Sequence, residues 1–321
     1  MPLHVLIQKD CNTMITFYKN GNGLEVAASH SQSIWVSAIQ PTPSEINYLL
    51  NELQIPQAFF NDIEDMDERP RIETENGWTL IIVRIPYRTQ DDKLPYSTAP
   101  LGLMFGHGKF VSLCFAQNHM LADFIAYTQR KQITVSGDYD LVLKLLLSSS
   151  VWYQKYLKQI NQRIKVAEDS LEESIRNEDL QALLQLEKCL VYFITSLKGN
   201  DLLFYRIKNL KAHSPNFDPD LVEDVDIELK QAQDSANIYS NILSGMMDAY
   251  ASVISNNLNV IMKRLTSISI ILMIPTFIAS VYGMNVPNSL QDNPYGLWIV
   301  LLLSLVISAI SVYLFRRKKL F

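Results

Sequence analysis

Charged residues are frequent as far as Arg264, and there the pattern breaks. Residues 265–291 carry no charge, and beyond Asp292 a second uncharged run reaches Phe315. About 20 apolar residues take a helix across the hydrocarbon core of a bilayer. The pattern therefore predicts two membrane spans, at residues 265–282 and 297–315. The second, LWIVLLLSLVISAISVYLF, is apolar on every face, whereas a helix on the surface of a soluble protein shows one apolar stripe. Trp298 and Tyr313 stand near its two ends, where amphipathic rings favour the membrane–water interface.

Upstream, residues 1–139 read as an α/β domain. LHVLIQ, TMITFY, IWVSAI, WTLIIVRIPY and FVSLCF are short, rich in β-branched and aromatic residues, and separated by Gly, Asn, Asp and Pro. TPSEINYLLNEL opens on helix-starting residues and continues at helical spacing. Helices between strands favour an α/β sandwich over an all-β barrel. Residues 140–215 switch to apolar positions three and four apart, the mark of long helices, with a break near residues 176–179 that makes them a hairpin. HSPNFDP ends that hairpin. From Pro219 no proline recurs until Pro275, so residues 216–282 are predicted as one stalk helix that becomes the first span. Residues 283–296 form the loop between spans, residues 297–315 the second span, and residues 316–321 a basic tail.

The stalk helix carries a polar stripe. Alternating steps of four and three from Asn241 reach Gly245, Asp248, Ser252, Ser255, Asn259, Met262, Thr266, Ser269, Met273, Thr276 and Ser280, all polar, small or Met. Leu243, Met247, Ile254, Leu258, Leu265, Ile268 and Leu272 flank it. A mean step of 3.5 holds a stripe on one face of a left-handed supercoil. A two-stranded coil would make that seam apolar. Several parallel copies with hydroxyls turned inward would instead enclose an aqueous lumen through the bilayer. Single Ser and Thr residues in membrane helices commonly bond the carbonyl one turn back, so the weight rests on the whole register. Pro275 removes one helical N–H and allows a bend, compatible with structural tolerance or with a gating hinge.

Charge sets the orientation. Lys263 and Arg264 precede the first span, Arg316, Arg317, Lys318 and Lys319 follow the second, and the connecting loop GMNVPNSLQDNPYG has no Lys or Arg. By the positive-inside rule both termini lie in the cytoplasm and the loop lies outside. PLHVLIQKDCN lacks the basic start and apolar core of a signal peptide. The basic tail contributes four positive charges, so the rest of the chain is more acidic than the net −5, which disfavours nucleic acid as a partner. Cys11, Cys114 and Cys189 are too scattered for a metal cluster and read as reduced, buried thiols. The five histidines show no zinc-ligand spacing. No phosphate loop or nucleophile motif is present, so an enzyme is not expected.

The first span ends on Tyr282-Gly283-Met284-Asn285, where Gly283 is expected to let the helix end and Asn285 offers an amide carbonyl at the outer mouth. A two-span C-terminus, YGMN at the end of the first span, a short outward loop and a basic tail resemble the CorA family of divalent cation channels. SNNLNVIMKRLTSISIILMIPTFIASVYGMN is similar to that family's pore helix throughout, and DERPRIE to its acidic-Arg-Pro-basic segment. The resemblance spans the whole chain. It implies a homopentameric helical funnel, with cytoplasmic α/β domains, a bundle of stalk helices, two C-terminal transmembrane helices per chain, and a ring of five GMN loops at the entrance. Gly283, Met284 and Asn285 would form the selectivity filter. Asp248, Asn259, Met262, Leu265, Met273, Thr276 and Ser280 would line the pore, with Leu265 a hydrophobic constriction. All of these except Leu265 lie on the stripe drawn from periodicity. Asp224 would supply a regulatory magnesium site between subunits, opposite Asp91 or Asp92 of a neighbour. The loop departs from relatives that carry Met-Pro-Glu-Leu after the triplet, having only Asp292, and Ser280 stands where Gly is common.

Neutral amide and peptide carbonyls suit hydrated Mg²⁺, which releases its waters reluctantly and is recognised through them. Zinc, cobalt and nickel favour imidazole or thiolate, absent from the predicted pore, although a filter for hydrated ions could pass cobalt or nickel. The expected partners are identical subunits, the lipid bilayer and divalent metal ions, in a cell membrane. Two other readings are a zinc or related divalent-ion exporter on the same frame and a membrane-anchored sensor or scaffold, which would need no hydrophilic seam.

Overall fold

The computed structural model describes residues 14–173, 177–211, 218–284 and 293–317. The chain divides into two compact units, Met1–Ser244 and Gly245–Phe321.

The first unit opens with β1 (Ile15–Gly21), β2 (Gly23–Val26) and β3 (Trp35–Ile39). Then come α1 (Pro43–Asn47), a wide helical turn at Tyr48–Glu52, and α2 (Gln57–Glu64). Strands β4 (Arg71–Glu75), β5 (Trp78–Arg88), β6 (Tyr96–Gly106) and β7 (Lys109–Cys114) precede helix α3 (Met120–Lys131). The seven strands form one sheet in the order β2-β1-β3-β7-β6-β5-β4. All pairs are antiparallel except β3 with β7, which the helices between them allow to run parallel. Four of the five predicted strands correspond to β1, β3, β5 and β7; LHVLIQ lies outside the described residues.

One face of the sheet carries Val36, Ala38, Trp78, Leu80, Ile82, Met104, Val111 and Leu113 against Leu49, Leu53, Ile55, Phe59, Phe60 and Ile63 of the α1–α2 region. Residues of β5 between them, Ile81, Val83 and Ile85, are also fully buried, so this strand is covered on both faces. Thr42 caps α1: its hydroxyl accepts from Glu45 N–H, and the Glu45 carboxylate accepts from Thr42 N–H at 2.8 Å. This is the start predicted from TPSE.

Helices α4 (Asp138–Glu173) and α5 (Asn177–Lys211) follow. The first half of helix α6 (Pro219–Tyr282) belongs to this unit and buries Val225, Leu229, Ala232, Ala236 and Leu243, three, four or seven residues apart. Helix α5 replaces a strand where β4 stops. Register pairs Arg71 with Ile82, and Pro70 ends the ladder there, which leaves Arg84 with no backbone partner on that edge. The Asn200 side chain takes its place: its Oδ1 accepts from Arg84 N–H at 2.9 Å and its Nδ2 donates to Arg84 C=O at 2.7 Å. Gly199 allows this approach, since a Cβ there would lie 2.8 Å from Pro70 Cγ. The buried Arg84 guanidinium donates to the carbonyls of Met66, Glu68 and Thr98 and to the Thr98 hydroxyl. It thus holds the loop that leads into DERPRIE. In that segment Arg71 pairs with Asp62, Glu68 and Glu73.

The second unit consists of the remainder of α6 and helix α7 (Gly296–Arg317). Both helices are long and apolar enough to cross a membrane, and only 6% of the most apolar window of each is buried. A soluble core helix would be covered by its own chain. These two present their apolar surface outward, as membrane segments do.

Candidate functional site

Helices α6 and α7 meet along narrow faces. Gly296, Val300 and Ser304 are buried on α7, one residue in four, and their small size lets the helices approach. On α6, Ser267 is 4% exposed, and Ile271, Ile274, Pro275 and Ile278 are half-buried on the same side. A cavity of 280 Å³ lies between the two helices, bounded by Pro275, Thr276 and Ala279 on one and Val300, Leu301 and Ser304 on the other.

The polar stripe lies on the far side of α6, except that Thr276 also borders this cavity at the edge of the α7 contact. At about 100° per residue, Thr266, Ser269, Met273, Thr276 and Ser280 centre roughly 150° from the α7 contact line. Every one of them is exposed, as are Gly245, Asp248, Ser252, Ser255, Asn259 and Met262 further down. Leu265 is 57% exposed and lies beside the stripe. A single chain therefore has a helix with two working faces, one sealed by α7 and one polar and uncovered. Ser252, Ser269 and Thr276 each donate to the carbonyl four residues back, at 3.0, 2.9 and 3.0 Å. Their hydroxyl protons are used within the helix, and their oxygens keep lone pairs that can accept from water.

At the end of α6, Gly283 N–H donates to Ala279 C=O at 2.9 Å and Met284 N–H to Val281 C=O at 3.4 Å. Helix α6 ends at Tyr282, directly before Gly283, as expected, and Gly283 lets it end without a left-handed φ. Met284 is 57% exposed, and Asn285 lies outside the described residues.

In the first unit, Asp224 is exposed on a groove of about 480 Å³ formed by α3, α4 and α6. Other charges border it. Asp123 accepts from Lys155 Nζ at 3.0 Å and from Trp152 Nε1 at 3.1 Å. Lys144 pairs with Asp140 at 2.7 Å, and Glu228 accepts from Gln154 at 2.6 Å. Among the described residues nothing donates to Asp224. Asp91 and Asp92 are exposed in the β5–β6 loop, where the Asp91 carboxylate accepts from Lys93 N–H at 2.9 Å. They do not border the groove, and among the described residues no three metal-ligating side chains gather at one place. Sequence reasoning did not single out the groove, because α6 joins α3 and α4 there from a distant segment. Cys114 and Cys189 are buried and unpaired, and burial pushes the Cys114 thiol up to about 11, which keeps it protonated and unreactive.

The chain is 27% identical to the cobalt/magnesium transport protein CorA of Methanocaldococcus jannaschii over 95% of its own length and 98% of that protein. It is 31% identical to the protein of the same description from Thermotoga maritima, over 52% of this chain and 48% of that one. The complete structure of the M. jannaschii CorA magnesium transporter superposes with a TM-score of 0.80 at 25% identity, covering 95% of this chain and 98% of that one. The signature described as CorA-like Mg²⁺ transporter protein matches residues 30–317, and the chain belongs to that family.

Proposed function

We propose that this protein is a magnesium channel or transporter that assembles as a homopentamer, with both termini in the cytoplasm and hydrated divalent cations passing along the polar face of α6. The observation that carries this reading is the two-sided helix: α7 occupies one face of α6, and the opposite face is polar through the length of a span. Copies of α6 turned inward would solvate that face and leave α7 toward lipid. Asn285 and the Gly283 carbonyl would hold the water shell of the ion at the outer mouth, and neutral oxygens would release it onward. Met262 and Leu265 lie between Asn259 and Thr266, so a short apolar ring at that level could dewet and close.

The test uses purified full-length protein in liposomes. Wild type is expected to carry magnesium faster than zinc. In Thr276→Cys, added cadmium is expected to block magnesium flux, because thiolates from several copies would face one lumen. The block should reverse with a chelator. Absence of divalent-ion flux would overturn the transport reading, and flux in Thr276→Cys that ignores cadmium would remove Thr276 from the path.

Regulation belongs to the same reading. Asp224 of one subunit, facing Asp91 or Asp92 of the next, would repel unless a cation lay between them, so internal magnesium would favour a symmetric closed bundle. Lysine at Asp224 would supply a fixed positive charge. Asp224→Lys is expected to weaken inhibition by internal magnesium, shifting the half-inhibiting concentration by roughly tenfold or more. An inhibition curve superimposable on wild type would place the regulatory site elsewhere.

A further inference from the structure

Four cations gather at one end of the α6–α7 pair. Lys263 and Arg264 lie four and three residues before Ser267, so they extend the side of α6 that packs on α7. The cavity places Pro275 near Ser304, and from there the antiparallel helices run eleven residues back to Arg264 and twelve residues on to Arg316. Both paths cover about 17 Å at 1.5 Å per residue, so Lys263, Arg264, Arg316 and Arg317 share one level. All four are exposed, and none has an ion pair among the described residues. The nearest carboxylate on α6 is Asp248, about 22 Å further down the helix from Lys263. In the sequence, Asp292 lies between the two spans. Tyr313, 65% exposed, lies four residues before Arg317 on the same side of α7.

Like charges held this close repel one another unless anions lie among them. The polar stripe faces away from this side of α6, so the cations are not positioned on the proposed ion path and do not oppose divalent cations there. They stand where the apolar surface of the two helices ends, at the depth of lipid headgroups.

We propose that Lys263, Arg264, Arg316 and Arg317 form a collar that binds the phosphates of anionic phospholipids in the cytoplasmic leaflet and gives the protein a preference for them. The guanidinium groups offer paired N–H donors that match phosphate oxygens, and the Tyr313 ring lies at the acyl boundary beside them. This inference rests on the membrane placement in the preceding reading but not on its ion path.

Full-length protein would be reconstituted with spin-labelled phosphatidylglycerol or spin-labelled phosphatidylcholine, and the fraction of motionally restricted label measured by electron spin resonance. Wild type is expected to associate with phosphatidylglycerol roughly two- to fivefold more strongly, with the ratio falling toward one at high salt. Arg264→Gln/Arg316→Gln/Arg317→Gln should lose most of that preference, and the corresponding triple lysine variant should keep most of it. Equal association of both lipids with wild type, or a preference that survives high salt or the glutamine substitutions, would overturn the collar. Should the glutamine variant fail to insert, the salt titration of wild type decides alone. Because the readout is lipid association, a protein that transports normally without lipid preference defeats only this inference. One that selects anionic lipid but carries no ion defeats only the transport reading.

Discussion

Asn285→Ala is expected to lower magnesium flux by at least about tenfold while leaving the assembly intact. A hydrogen bond to a charged or strongly polarised group is worth roughly 1.5–3 kcal/mol, and a ring of copies loses one at every subunit. Water in the shell of Mg²⁺ is a strong donor, and alanine offers it no acceptor. Asn285 follows α6 in the sequence, and the last turn of that helix closes through Gly283 and Met284 onto Ala279 and Val281. Asn285→Asp supplies the control. It keeps size and acceptors but adds a ring of negative charge, which should hold the ion more tightly and release it more slowly. Flux in liposomes, with oligomer size measured on the same preparations, checks both. A correctly assembled Asn285→Ala protein with wild-type flux would end the filter assignment.

Much of this architecture was legible in the sequence because it rests on period and charge. Helix α6 was readable as one element since no proline interrupts it between Pro219 and Pro275, and α7 since every face is apolar. The polar stripe needed only a 3.5-residue step, and the structure adds what one period cannot supply, that α7 covers the opposite face. Strands β2, β4 and β6 were not legible. RIETE of β4 is charged because the strand forms an edge of the sheet. YSTAPLGLMFG of β6 contains Pro100 and Gly102, which argue against a central strand. The sheet tolerates both. Register between β6 and β7 extends only from Gly102 to Gly106, so Pro100 sits where β7 gives it no ladder partner, and Gly102 faces the Ile63 side chain, where a Cβ would lie 2.1 Å from Cδ1. The groove around Asp224 was hidden for a different reason: α6 is far in sequence from α3 and α4, and only packing brings their charges together.

Packing also hides the residue whose loss should most damage the first unit. Asn200 reads in the sequence as an ordinary polar residue following a mid-helix glycine, yet it is fully buried and completes the sheet at Arg84. Replacing it with leucine keeps a similar volume and removes both hydrogen bonds. Arg84 C=O would retain the Tyr153 hydroxyl at 3.0 Å, but Arg84 N–H would be left without its acceptor in a dry site. A buried polar group left unpaired costs about 1–3 kcal/mol, and the lost bond to the carbonyl adds to it, so Asn200→Leu is expected to destabilise the unit by roughly 2–4 kcal/mol. Tyr153→Phe should cost less, about 1 kcal/mol, since Asn200 still serves the same carbonyl. Thermal unfolding of the full-length protein in detergent would rank the two, and amide hydrogen exchange would localise the effect. Exchange at Arg84 should accelerate strongly in Asn200→Leu and only slightly in Tyr153→Phe. If Asn200→Leu unfolds at the wild-type temperature with an unchanged Arg84 amide, the side-chain amide does not carry the end of the sheet.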